Sequence, residues 1–184
     1  MTTPEGGQTP QIELTLLKEA TAPKLSKRSA GRTLQYRLWT NAERSDVFWQ
    51  IAANEGGQHS LELVPMTKVQ AAVGAVAGSE PFRTRTLRGA FSGKSTNNAG
   101  FLLCAMHAEG LLAASDKAHH YLAQGQWQDW LQAVLSLESQ LASIAAPLAA
   151  AVLPADTAEP VTKGRRGTKR KALTDEEEEH ADAA

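Results

Sequence analysis

A single cysteine, Cys104, excludes an internal disulfide, and its place in an apolar helical pattern fits a reduced, buried residue of a cytoplasmic protein better than a catalytic thiol. Net charge is lacking too. The 19 Lys and Arg are matched by 20 Asp and Glu, so the chain as a whole has no pull on nucleic acid, and attraction has to come from local clustering. The longest apolar run, Ile144 to Ala155, is broken by Pro147 and Pro154 and falls short of the roughly 20 residues that cross a bilayer. Residues 1–7 lack the basic start and apolar core of a secretory signal. No membrane partner is expected.

The constellations that carry chemistry are equally scarce. No nucleophile, base and orienting acid stand at a recognisable spacing, so no catalytic residue is assigned and a non-enzymatic protein is expected. His119-His120 has no accompanying cysteine or carboxylate cluster, and adjacent strand residues face opposite ways, so neither a metal nor another cofactor is assigned. Gly93-Lys94-Ser95 ends like a phosphate loop, yet the first glycine of that motif belongs at position 88, where Arg88 stands. The helix-cap reading is preferred.

What the chain does have is patterning. With 42% hydrophobic residues it can bury a core. Apolar residues alternate at Ile12, Leu14 and Leu16, at Leu34, Tyr36 and Leu38, at Val47, Trp49 and Ile51, and at Leu61 and Leu63, giving four strands. Turn-rich connectors at 41–46 and 54–58 make the later ones an antiparallel meander.

From Thr67 the period becomes helical. Thr67 caps a helix carrying Val69, Ala72, Val73 and Val76, with Gly78 as its glycine stop. Thr84 opens a short helix with Leu87 and Phe91, Ser92-Gly93 is a tight turn, and Ser95 or Thr96 opens a third helix ending at Gly110. Leu111-Leu112 and His119 to Leu122 flank a polar turn, a hairpin. Trp127, Trp130, Leu131, Val134, Leu135, Leu137, Leu141 and Ile144 then describe an amphipathic helix of about five turns.

The order helix, short helix, turn, longer helix, hairpin resembles the winged helix-turn-helix superfamily, through Leu87 to Phe91, Gly93, the helix from Asn97, and Ala108 to Leu112 followed by Tyr121-Leu122. That resemblance implies nucleic-acid binding, although such modules also serve in protein interaction. The expected fold class is α+β: an N-terminal antiparallel four-stranded sheet, a winged-helix-like helical segment and a C-terminal amphipathic helix. The corresponding division is a mobile leader at 1–10, the sheet at 11–66, the winged-helix-like segment at 67–123, the amphipathic helix at 124–146 packed on the body, and a disordered linker with a basic then acidic tail at 147–184.

Cations cluster in two places without an intervening acid. One is Lys24, Lys27, Arg28 and Arg32 in the loop after the first strand, which is either a solvated connector or a phosphate-contacting loop. The other is Arg83, Arg85, Arg88 and Lys94 with the polar run Ser95, Thr96, Asn97 and Asn98, where the third helix of a helix-turn-helix begins; Lys117 lies on the wing. The leading expectation is therefore a prokaryotic or mobile-element regulator, or a replication or partition accessory, that reads duplex DNA with that helix. The alternatives are a single-strand binder stacking bases on Tyr36, Trp39, Phe48 and Trp49 of the sheet, or an interaction adaptor. The acidic block Asp175 to Glu179 offers a protein partner a second contact, and oligomeric state is not legible.

Overall fold

The computed structural model describes residues 11–74, 80–93 and 97–147, all within one compact unit. The expectations for the leader, for Val76 and Gly78, for Lys94, Ser95 and Thr96, and for the tail beyond 147 lie outside these residues.

The protein is mixed α+β. Strands β1 (Gln11–Pro23), β2 (Thr33–Asn41), β3 (Val47–Asn54) and β4 (Val64–Pro65) form a meander, and β8 (Ser143–Pro147) joins its far edge to give the antiparallel order β4-β3-β2-β1-β8. Between β4 and β8 the chain runs through α1 (Met66–Gly74), β5 (Phe82–Arg83), a 3₁₀ helix at Thr84–Ala90, α2 (Asn98–Ala108), β6 (Leu112–Ala114), β7 (His120–Ala123) and α3 (Trp127–Leu135). The three short strands make a second antiparallel sheet, β5-β7-β6.

The four-strand expectation is thus corrected to five in the main sheet. Leu61 to Leu63 lie outside β4, and Leu61 is exposed, its carbonyl accepting from the Gln50 side chain. The five-turn C-terminal helix is also corrected, because α3 stops at Leu135. Arg44, at the β2–β3 turn, donates to the carbonyls of Leu135 and Leu137 and to Ser139 Oγ, closing the helix end from outside. Beyond it Leu141 is fully exposed, whereas Ile144 and Ala146 pair into β8 and pack beside Leu14. An edge of β1 in need of backbone partners outweighs the helical spacing there.

One residue of β1 decides which face its side chains take. The ladder to β2 runs Leu16 opposite Trp39 and then Lys18 opposite Leu38, leaving Leu17 as a bulge. A slip of one residue exchanges faces. Before the bulge Leu14 and Leu16 join Trp39, Phe48 and Ala146 in a small cluster; after it Ala20 and Ala22 face the main core with Leu34, Tyr36, Leu38, Trp49 and Ile51. The helices pack on that second face, α2 and α3 each meeting β1 and β3.

Helix α2 ends in a Schellman turn, with Leu111 N–H donating to Met106 O at 3.0 Å and Gly110 N–H to His107 O at 3.1 Å, at a Gly110 φ of 75°. This turn delivers Glu109 into the main core. Its carboxylate accepts from Lys18 Nζ at 2.7 Å, from Trp130 Nε1 at 3.0 Å and from the Tyr36 hydroxyl. Burial alone would raise the Glu109 carboxyl, but the Lys18, Tyr36 and Trp130 donors outweigh it and hold the group below the usual carboxylate range. Trp130 stacks on Trp49 with centroids 5.2 Å apart, and Trp49 donates to Met66 Sδ.

Because the folded carboxyl is depressed, its contribution is complete above the ordinary glutamate value of about 4.3 and is lost as pH falls through the folded value. Glu109→Gln should therefore cost about 2 kcal/mol at neutral pH, and the gap from the native chain should close in acid. Denaturant titrations of both proteins between neutral pH and about pH 3 measure this; a gap independent of pH refutes the role given to the carboxylate charge.

Candidate nucleic-acid interface

Two clefts lie on either side of the paired strands β5 and β7, in which Phe82 stands opposite Tyr121 and Arg83 opposite His120. Tyr121 of β7 and His119 just before the strand line one cleft, and His120 lines the other. The first, about 590 Å³, is bounded by the 24–29 loop, by Asn97, Gly100 and Phe101 of the start of α2, and by the hairpin. The second, about 810 Å³, is lined by Arg83, Arg85 and Arg88 with His120. Among the described residues neither lining contains an Asp or a Glu.

The 3₁₀ turn at Lys27–Ser29, closed by Ser29 N–H to Ser26 O and ending at Gly31 with φ 78°, folds the basic loop back so that Lys27 and Arg28 reach the first cleft. The loop's four cations then divide. Lys24 donates to the carbonyls of Glu55 and Gly56 and rests over the Phe101 ring at 5.4 Å. Arg32 approaches Gly56, and the Glu55 carboxyl beside it is held low by hydrogen bonds from the Thr33 amide and hydroxyl and by the charges of Lys24 and Arg32. Lys27 and Arg28 are exposed and form no ion pair among the described residues.

On the other side Arg83, Arg85 and Arg88 are exposed on and beside the 3₁₀ helix, while Leu87 and Ala90 of that helix are buried. Arg83 Nε donates to His120 Nε2 at 3.2 Å, and His120 Nδ1 lies 2.9 Å from Ala118 O. Arginine only donates, so in this contact the imidazole Nε2 is the acceptor. Lys117 is exposed at the hairpin turn and lines neither cleft.

The helix expected to read bases is corrected. Seven of the 11 residues of α2, Asn98, Ala99 and Leu102 to Met106, are buried, because an unbroken apolar run leaves no polar stripe to present. Asn98 is wholly enclosed: its Nδ2 donates to Ser60 O at 3.1 Å, and its Oδ1 accepts from Ser60 N–H at 3.0 Å. It is a clamp on the β3–β4 connection, not a base contact. Asn97 is exposed at the cleft and touches Gln58 O. The Ser92-Gly93 turn is gripped by Glu62, whose Oε2 accepts from Gly93 N–H at 3.0 Å and whose Oε1 accepts from Ser92 N–H. A phosphate loop would need such amides for its ligand.

The stacking platform is overturned. Tyr36, Trp39, Phe48 and Trp49 are each 2% exposed or less, since the two faces of the sheet are both covered at these positions. Cys104 lines the first cleft as a buried thiol pushed up by burial, and Tyr121 is raised by the same cause. Among the described residues no group of three His, Cys, Asp or Glu could hold a metal ion, and no helix is long and apolar enough to cross a membrane. The lining residues Thr84, Phe101, His119 and Tyr121 were not singled out by charge. Only the alternation of His119-His120-Tyr121 hinted that two of them share a side.

Comparison of the chain with protein-family models, with curated proteins and with solved structures finds no match.

The two asparagines should part company on substitution. Asn98→Ala leaves a buried amide and carbonyl of Ser60 without these partners and should cost about 2 to 3 kcal/mol in a thermal or denaturant melt, whereas Asn97→Ala should cost well under about 1 kcal/mol. Equal losses would contradict the burial assigned to Asn98.

Proposed function

We propose that this chain is a non-enzymatic nucleic-acid-binding protein that holds the phosphate backbone of duplex DNA, serving in the cytoplasm as a regulator or a replication or partition accessory of a prokaryote or mobile element. The observation that carries the reading is charge segregation. In a chain of net charge −1, two clefts gather Lys24, Lys27, Arg28, Arg83, Arg85 and Arg88 and, among the described residues, no carboxylate. Phosphate contacts supply most of the affinity in such interfaces, and arginines answer phosphate oxygens in pairs.

The order α1, β5, 3₁₀ helix, α2, β6, β7, with β7 between β5 and β6, supports a winged helix-turn-helix. The mode of contact differs from the simplest form of that motif. With α2 enclosed, Asn97 at its first turn is left to approach bases, while the 3₁₀ helix, the 24–29 loop and the hairpin meet the backbone. Duplex is favoured over single strands because Tyr36, Trp39, Phe48 and Trp49 of the sheet are buried and cannot stack successive bases, which is what sequence-tolerant single-strand binders use.

Fluorescence anisotropy with matched duplex, single-stranded DNA and RNA at about 50 and 200 mM salt tests this reading. Duplex should bind most tightly. Arg85→Ala and Arg88→Ala should each weaken binding to every sequence and reduce the log–log salt slope by about 1. Native affinity and slope in the Arg85/Arg88 double variant would remove the assignment.

A further inference from the structure

The first cleft has a chemistry that backbone gripping does not use. Its floor is apolar and partly aromatic, made by Leu25, Phe101, Leu103 and Tyr121, and its rim carries Lys27 and Arg28 beside the hydroxyls of Ser26 and Ser29. At about 590 Å³ it falls within the range of small-molecule sites, roughly 300 to 1,000 Å³. Lys24 is already engaged by two carbonyls and by Phe101, so an anion in the cleft falls to Lys27 and Arg28.

Gly100 is the second observation. Glycine weakens a helix relative to alanine, so one inside α2 calls for a reason. Packing supplies none: a Cβ built there meets nothing nearer than Thr84 Cγ2 at 3.9 Å, an ordinary contact. Gly100 does line the cleft, so a large side chain at this position would take up part of its volume.

We infer that this cleft is a nucleotide site, taking a nucleoside monophosphate with the base against Tyr121 and beside Phe101, whose ring Lys24 covers on one face, and the phosphate at Lys27 and Arg28. A planar ring with an anionic arm is the ligand that an aromatic floor and a carboxylate-free cationic rim both favour. The inference rests on the duplex-binding reading only for the origin of the nucleotide, which is either one extruded from bound DNA or one free in solution.

Calorimetric titration of the full chain with adenosine 5′-monophosphate tests it. Binding should saturate, with adenosine and inorganic phosphate each about tenfold weaker or more. Arg28→Ala and Gly100→Leu should each lower the affinity about tenfold, and Arg37→Ala, in an ion pair with Glu19 and outside the cleft lining, should not. Gly100→Ala guards against misfolding: it should raise the melting temperature while still weakening the nucleotide. A duplex carrying 2-aminopurine separates the two origins. A fluorescence rise on binding, suppressed by the monophosphate and lost in Gly100→Leu, marks an extruded base, whereas saturable monophosphate binding without that rise marks a free ligand.

No saturation at concentrations of order 10 mM, or equal affinity in native, Gly100→Leu and Arg28→Ala proteins, overturns the nucleotide site. Such a result beside intact duplex binding leaves the backbone reading in place. Monophosphate binding without duplex affinity does the reverse.

Discussion

Glu109 is a charged group on which the main core closes, and four elements meet through it. It stands at the C-terminal end of α2 and accepts from Lys18 of β1, Tyr36 of β2 and Trp130 of α3. Its side chain is 7% exposed against 37% for Lys18, so the glutamate carries the burial while the lysine keeps contact with water. A carboxylate in that position is tolerable only with its acceptor sites filled, which makes the three donors a set and not alternatives. Lys18 reaches the set because the Leu17 bulge turns it inward, and Trp130 because it lies flat on Trp49. The position of α2 against the sheet, and with it the floor of the first cleft, follows from this junction.

The clefts depend on a smaller device. The pairing of β5 with β7 is only two residues long, yet it sets Arg83 against His120 in one cleft while Tyr121 lines the other. A hairpin tip with His119 at a φ of 60° finishes the arrangement. Basic residues far apart in sequence, in the 24–29 loop and around position 85, are thereby made neighbours across one ridge. Electrostatic character here is a product of topology more than of composition.

Period-two alternation located β1, β2 and β3, and glycine chemistry located the end of α2 at Gly110, because both signals are local. The hairpin after α2 was legible for the same reason. Ile144 carries on a three-and-four helical spacing through Leu137 and Leu141; nothing nearby in sequence announces that β1 lacks a partner. The enclosure of Asn98 was hidden for a related reason. Its partner is Ser60, 38 residues earlier, and a polar residue at a helix start looks the same whether it caps, reads or clamps. The buried aromatics of the sheet were ambiguous because alternation assigns sides without saying that both sides are covered. Of the cationic surface, the residues were legible as a list and their division into two clefts was not.

The pairing of β1 with β8 also bears on how the molecule comes to be folded. Residues 11–15 and 143–147 are roughly 130 positions apart, so the last strand of the sheet closes a loop that takes in almost everything else described. Local helices and the β1-β2-β3 meander gain their contacts early, while this edge has to wait for the rest to dock. On a ribosome the wait is longer still, because β8 emerges after the other described elements. Until then the outer edge of β1 offers the unpaired amides and carbonyls of Gln11 to Thr15 to any extended segment that reaches them. The vulnerable interval is the stretch of synthesis before Ser143–Pro147 appear, and the strand that ends it is the last described one to be made.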